Sequence, residues 1–391
     1  MTIAEPVNAV EGERLAYLKH SDAAYEVLIW AGDTGEVPEG GPLHYISSVL
    51  NWNAHGSTLV ISYGPRCGRA TKGNATGITL QDHSRSTPMN LVRRVVAFLQ
   101  TLGHLLRFRP TRVLCAAIGP RLWAAYLVAS VYGARFVCTR HGQVMGRFVP
   151  LDKWFLSRAD AIMVHTQYLE DEIRSLLKQP PPIYQFNLSY RYLLESCHPN
   201  PGADQATTDI GAFTVLYVGR IVEIKGVVDL FTAIEPLMDE YPALQLTYIG
   251  DGPQLEELND LAKSRGFRER VRCLGQIPHG EVVAQVKRAS VVVTPSRAAF
   301  SEARCKAAVE AIVLGVPVIA PKHGPFPTMV EHERNGLLFE SDSALSLRQQ
   351  LKRIIADPDL WNKLRQGAED KRAFYLDSRM DFKEALRSAF S

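Results

Sequence analysis

Two cations and two carboxylates in the second half of the chain are spaced as a phosphate-handling and hydroxyl-handling set would be. Leu216-Tyr217-Val218-Gly219-Arg220 is an apolar run that stops at a glycine and delivers a cation at once. Ile221-Val222-Glu223-Ile224-Lys225-Gly226 brings a second cation five positions later and leads into a helical pattern. In open α/β sheets, ligands bind beyond the carboxyl ends of the strands. Arg220 and Lys225 therefore converge on one crevice, where two cations suit a diphosphate. Taken alone, the same two residues are equally an ordinary pair of surface charges on a loop.

The carboxylates follow Thr294-Pro295-Ser296. Glu302 precedes a helical pattern, and Glu310 lies eight residues further on. A helix N-terminus presents unpaired N–H groups and the positive end of a dipole to a ligand. About two turns of helix separate the carboxylates, so both can face one slot at different depths. One is suited to the hydroxyls of a sugar and the other to those of a ribose. Glu302 alone reads as a dipole partner. Glu310 sits among Ala307, Ala308, Val309, Ala311 and Ile312, and a carboxylate in such company needs a partner.

These residues need a frame that brings strand ends together. Apolar strand runs are expected at Tyr25–Ala31, Ser57–Tyr63, Thr76–Leu80, Arg112–Ile118, Arg135–Thr139, Ala161–His165 and Ile183–Phe186. The second half adds runs at Phe213–Val218, Leu244–Ile249, Arg270–Leu274, Ser290–Thr294, Val316–Ala320 and Leu337–Phe339. Helical patterns lie between them, which predicts an α/β protein with parallel sheets covered on both faces. The alternation breaks at His198–Ile210, a polar stretch rich in Pro, Gly and Asp that reads as a linker. Domains are therefore expected at 1–200 and 201–375, with a charged helical tail beyond.

Composition narrows the classes. A chain of 391 residues is too long for one ordinary core. Lys and Arg number 44 against 41 Asp and Glu, a net charge of +3 that argues against nucleic acid as the main partner. The six cysteines form no CxxC pair, which fits buried thiols in a reducing compartment better than zinc or disulfides. The first residues lack an apolar signal core, and no apolar run reaches about 18 residues, so a cytoplasmic protein is expected. A nicotinamide dehydrogenase would need GxGxxG after its first strand; Gly250-Asp251-Gly252-Pro253 is a poor substitute.

The order VGRIVEIKG, YIGDGPQLEEL, LGQIPHGEV, VTPSR, Glu-x7-Glu, LGVPVIA and ERNGLLF resembles the retaining, group 1 (GT4) glycosyltransferases of the GT-B fold. The resemblance is close over Phe213–Phe339 and loose before it. It implies two doubly wound, Rossmann-like domains facing a central cleft, with residues 376–391 forming a helix that packs back on the N-terminal domain. It implies a hexosyltransferase that takes its sugar from a nucleoside diphosphate and passes it to a glycan, lipid-linked or small-molecule acceptor. No cofactor and no metal are implied. Arg220 and Lys225 would hold the diphosphate, Glu302 the transferred sugar and Glu310 the ribose. Gly219, Ser296 and the Ala303-Arg304-Cys305-Lys306 turn would approach the donor, and Gly275 and Ile277 its base. That turn departs from the family, which has a small, glycine-containing turn there.

In the first half, Gly41 of a Gly40-Gly41 pair would approach the diphosphate, and His141 of a His-Gly pair would lie near the sugar. The acceptor loops, such as Cys67–Ser86, resemble nothing readable. Arg93, Arg94, Arg107 and Arg109 border an apolar stripe, which is compatible with contact to an anionic membrane surface; more often such a stripe packs on its own sheet. The rivals are a sugar-nucleotide epimerase, a phosphorylase of the same architecture, and a non-catalytic sugar-nucleotide-binding protein.

Overall fold

The computed structural model describes residues 25–33, 57–64, 68–72, 75–81, 109–116, 119–140, 149–187, 190–195, 213–300, 302–377 and 381–391, with isolated positions between 95 and 106. The chain forms two compact units. The first comprises Met1–His165, Glu170–Phe186 and Phe382–Ser391, and the second Thr166–Leu169 and Asn187–Asp381. The main division thus falls after residue 186, not at the expected 200, and the stretch 198–210 lies outside the described residues. The helical tail is two helices with different addresses: Pro358–Leu376 belongs to the second unit and Phe382–Phe390 to the first.

The first unit holds β1 (Tyr25–Asp33), β2 (Ser57–Gly64), β3 (Gly68–Lys72), β4 (Ala75–Gln81), β5 (Pro110–Cys115), β6 (Arg135–Arg140), β7 (Ala161–Val164) and β8 (Ile183–Gln185). Their order is β3-β4-β2-β1-β5-β6-β7-β8. Val113, Leu114, Cys115, Val137, Cys138, Ile162 and Met163 are buried, the continuous apolar pattern of strands covered on both faces. One pairing corrects the all-parallel expectation. β3 runs antiparallel to β4, with Arg69 opposite Ile78. The two strands are separated in sequence by Gly73-Asn74, a hairpin signal that sits inside the stretch read as acceptor loops. The helix Phe382–Phe390 closes this unit: the Phe382 ring stands 4.8 Å from that of Phe186, and Arg135 Nε donates to the Ala389 carbonyl at 2.9 Å.

The second unit holds β9 (Thr214–Val218), β10 (Gln245–Ile249), β11 (Val271–Cys273), β12 (Val291–Val293), β13 (Val318–Pro321) and β14 (Gly336–Phe339), all parallel. The order β11-β10-β9-β12-β13-β14 reverses direction between β9 and β12. Successive strand residues point to opposite faces, and here they feed two cores. Val215, Tyr217, Leu246, Tyr248, Val291 and Val293 pack with the helix Val227–Glu240. Leu216, Ile249, Val292, Val318 and Ala320 pack with the helix Lys306–Val313. Each fully buried aliphatic side chain contributes about 1.5–3 kcal/mol. Among the described residues, no helix is long and apolar enough to cross a membrane.

Gly226 opens the helix Val227–Glu240 in the left-handed region, at φ +68, and a Cβ there would lie 2.1 Å from the Pro295 carbonyl oxygen. Gly266 has a similar φ of +75, but a Cβ there would meet nothing within 4 Å. Gly266→Ala therefore carries only the backbone cost, about 1 kcal/mol. Gly226→Ala adds a backbone clash, for a total of about 3 kcal/mol. By calorimetry the second unit should melt about 3 °C lower in the first variant and about 10 °C lower in the second; equal shifts would refute the close approach.

Candidate functional site

The reversal of strand order between β9 and β12 is the topological switch point at which such sheets bind ligands. β9 ends at Gly219 and Arg220. Ile221 is buried behind them, and the Tyr217 hydroxyl donates to the Arg220 carbonyl at 2.7 Å. Burial pushes the Tyr217 phenol well up, so it stays a donor. A single 3-10 turn, Glu223–Lys225, then lifts Lys225 to the strand ends before Gly226 turns the chain into its helix.

β12 ends at Thr294-Pro295-Ser296, with Thr294 and Ser296 buried. The following loop is tied to the first one: the Arg297 N–H donates to the Ile224 carbonyl at 3.0 Å. The loop then brings Phe300 and Glu302 across. Lys225 Nζ stands 2.5 Å from Glu302 Oε2, and both side chains are mostly buried, at 14% and 13% exposure. The Phe300 ring lies 4.0 Å from the same ammonium and 5.8 Å from the Arg220 guanidinium. One ring is thus flanked by both cations, which places Arg220, Lys225 and Glu302 in one cluster. An aromatic face attracts a cation by about 0.5–2 kcal/mol, and here it holds two in position.

The helix Lys306–Val313 begins directly beside this cluster and has no acidic residue in its first turn. Its N-cap position is Cys305, whose side chain makes no capping hydrogen bond and is buried. Burial first, and the Glu302 charge second, push that thiol up to about 12. Ala303 is buried with it. Glu310 has the partners its apolar neighbours demand: Oε1 lies 3.3 Å from Lys306 Nζ, one helical turn back, and 3.7 Å from His279 Nε2. Arg304 faces elsewhere. Its guanidinium lies 5.5 Å from the Tyr190 ring and 5.7 Å from that of Tyr375, in an aromatic slot. Ile277 packs against the core under the helix Lys306–Val313. Gly275, at φ +67, accepts from the Gly250 N–H at 2.9 Å.

Gly41, His141, Arg93, Arg94 and Arg107 lie outside the described residues; Arg109 is described and exposed. Among the described residues, no cluster of His, Cys, Asp and Glu could hold a metal ion. Four contributors escaped the sequence reading. Tyr217 and Phe300 are apolar-looking residues in strand and loop, His279 sits inside LGQIPHGEV without a role, and Arg297 ends VTPSR. Only the last two carried a signal, as polar residues within the quoted motifs.

Residues 204–371 match the model of the family described as glycosyl transferases group 1. The D-inositol 3-phosphate glycosyltransferase of Corynebacterium jeikeium is 30% identical over 175 residues, and the match spans 41% of this chain and 41% of that relative's length. Sucrose-phosphate synthase from Thermosynechococcus elongatus superposes with a TM-score of 0.69 at 21% identity, over 93% of this chain and 97% of its own. Anabaena HepE in complex with UDP gives 0.70 at 14% identity, over 93% and 98%. The chain has the GT-B fold. The family match falls within its second unit, Asn187–Asp381.

The N-cap thiol offers a direct check of this geometry. Cys305 should stay unmodified by iodoacetamide at pH 8 in the native protein and react fully in denaturant, as read by peptide mass mapping. Native labelling would show that the thiol is not buried beside Glu302.

Proposed function

We propose that the chain is a retaining, metal-independent hexosyltransferase, using a nucleoside-diphosphate sugar as donor and a glycan, lipid-linked molecule or small molecule as acceptor. The observation that carries the reading is the meeting of Arg220, Lys225 and Glu302 around Phe300 at the strand-order reversal, beside the first turn of the helix Lys306–Val313. UDP in the Anabaena HepE complex supports a nucleoside diphosphate as the donor's leaving group.

Glycosyl transfer passes through an oxocarbenium-like state, as glycoside hydrolysis does. Negative charge grows on the departing diphosphate. Arg220 and Lys225 meet that charge, and because they are already held in place they need no reorganisation as the bond breaks. The helix N-terminus adds its positive dipole end. Glu302, oriented by Lys225, takes hydroxyls of the transferred sugar. Glu310, held by Lys306 with His279 nearby, takes those of the ribose. A bidentate carboxylate grip on two vicinal hydroxyls uses acceptor sites that the lysines leave open.

A panel of UDP-, GDP-, ADP- and dTDP-sugars tests this by calorimetric binding and by donor hydrolysis in EDTA. One donor should bind saturably and be hydrolysed slowly despite the chelator. Lys225→Ala and Glu302→Ala should each lose that turnover on the order of 10²–10³-fold. Absence of binding to any donor sinks the assignment. Turnover that requires free phosphate moves the chain to a phosphorylase.

A further inference from the structure

We infer that Arg297 is a positioning residue that sets the register between the Lys225 loop and the Glu302 loop; the inference rests on the transferase reading above. Arg297 donates through Nε to Asp229 Oδ2 at 2.7 Å and through Nη2 to Asp229 Oδ1 at 3.0 Å. Its Nη1 donates to Glu223 Oε1 at 2.8 Å. Those two carboxylates bracket Lys225 in sequence: Glu223 starts its 3-10 turn and Asp229 stands in the first turn of the following helix. The side chain therefore grips the Lys225 segment on both sides.

The backbone of the same residue completes the link. The Arg297 N–H donates to the Ile224 carbonyl, the residue before Lys225, at 3.0 Å. The Arg297 carbonyl accepts from the Phe300 N–H at 2.9 Å, and the Phe300 carbonyl accepts from the Glu302 N–H at 2.9 Å. An unbroken chain of hydrogen bonds thus runs from the Lys225 turn to Glu302, with the Phe300 ring carried between them. Gly226 against the Pro295 carbonyl brings the two loops to backbone contact at their base. A planar fork matches two carboxylates in a way that an ammonium cannot. The two carboxylates pin the guanidinium in its charged form, its pKa raised first by the Asp229 hydrogen bond.

Arg297 is 33% exposed, Asp229 31% and Glu223 74%, so solvent screens these pairs and their loss shifts the melting temperature little. A displaced reacting group, in contrast, costs on the order of a hundredfold in rate for a shift of about 1 Å. Arg297→Ala should therefore keep nearly the parent melting temperature while donor hydrolysis falls about a hundredfold. Arg297→Lys should recover part of the loss. In a Lys225→Ala background, Arg297→Ala should cost less than it does alone, because one of the two groups whose register it sets is gone. Lys352→Ala, which removes the exposed pair with Glu240 elsewhere in the unit, serves as the control and should keep full activity. If Arg297→Ala does not fold, the double change Glu223→Gln with Asp229→Asn releases the guanidinium without deleting it and should show the same loss. Parent-like hydrolysis in a folded release variant, or losses that add fully to Lys225→Ala, overturns the assignment while leaving the transferase reading intact. No hydrolysis by the unsubstituted chain overturns both.

Discussion

An ammonium and a carboxylate 2.5 Å apart, each mostly withdrawn from water, are the contact on which the second unit's site depends. Neither charge is cheap to bury alone, because removing one partner leaves the other without compensation at a cost of about 3–5 kcal/mol. Lys225 and Glu302 come from loops 77 positions apart in sequence, so only the tertiary structure can bring them together. The parallel pairing of β9 with β12 does so, since both loops leave the carboxyl ends of adjacent strands. The doubly wound order explains why the crevice opens there, as successive crossovers diverge from that point.

Neighbouring groups share the charges of this pair. The Phe300 face shares the ammonium with Glu302, and Arg220 approaches that ring as well. Cys305 fills the helix N-cap with a group that burial keeps neutral, so the cap adds no competing negative charge beside the cations. Glu310 is satisfied from its own helix by Lys306, four residues back, leaving it oriented without help from the Lys225 loop. Arg304, in the unusual turn after Glu302, stands against the rings of Tyr190 and Tyr375, whereas Arg220 and Lys225 stand against that of Phe300.

Much of this was legible before any coordinates. The glycine that ends β9, the cations after it and the eight-residue glutamate spacing follow local rules of strand, turn and helix. The need of Glu310 for a partner was readable from the alanines and valines around it, although Lys306 and His279 as the partners were not. The β3–β4 hairpin was missed because short, polar strands such as Gly68–Lys72 lack an apolar run, and the Gly73-Asn74 signal between them was passed over. Phe300 was opaque for a different reason. An aromatic residue looks the same in sequence whether its ring fills a core or faces a cation, and only the arrival of Arg220 and Lys225 from another loop distinguishes the two. The division after residue 186 was hidden because no break in composition marks it, whereas the Pro- and Gly-rich stretch that attracted the eye lies beyond it.

The membership of the last helix has a consequence for how the chain is made. The second unit is almost one continuous piece, Asn187–Asp381, and can fold as soon as it has emerged. The first unit, although it comes out first, still lacks Phe382–Phe390 and the cover that this helix gives to Phe186 and Arg135. At about 5–20 residues per second, that edge of the sheet waits roughly 10–40 s after residue 186 for its closing helix. During biosynthesis the older half of the polypeptide is thus the last to receive its closing element.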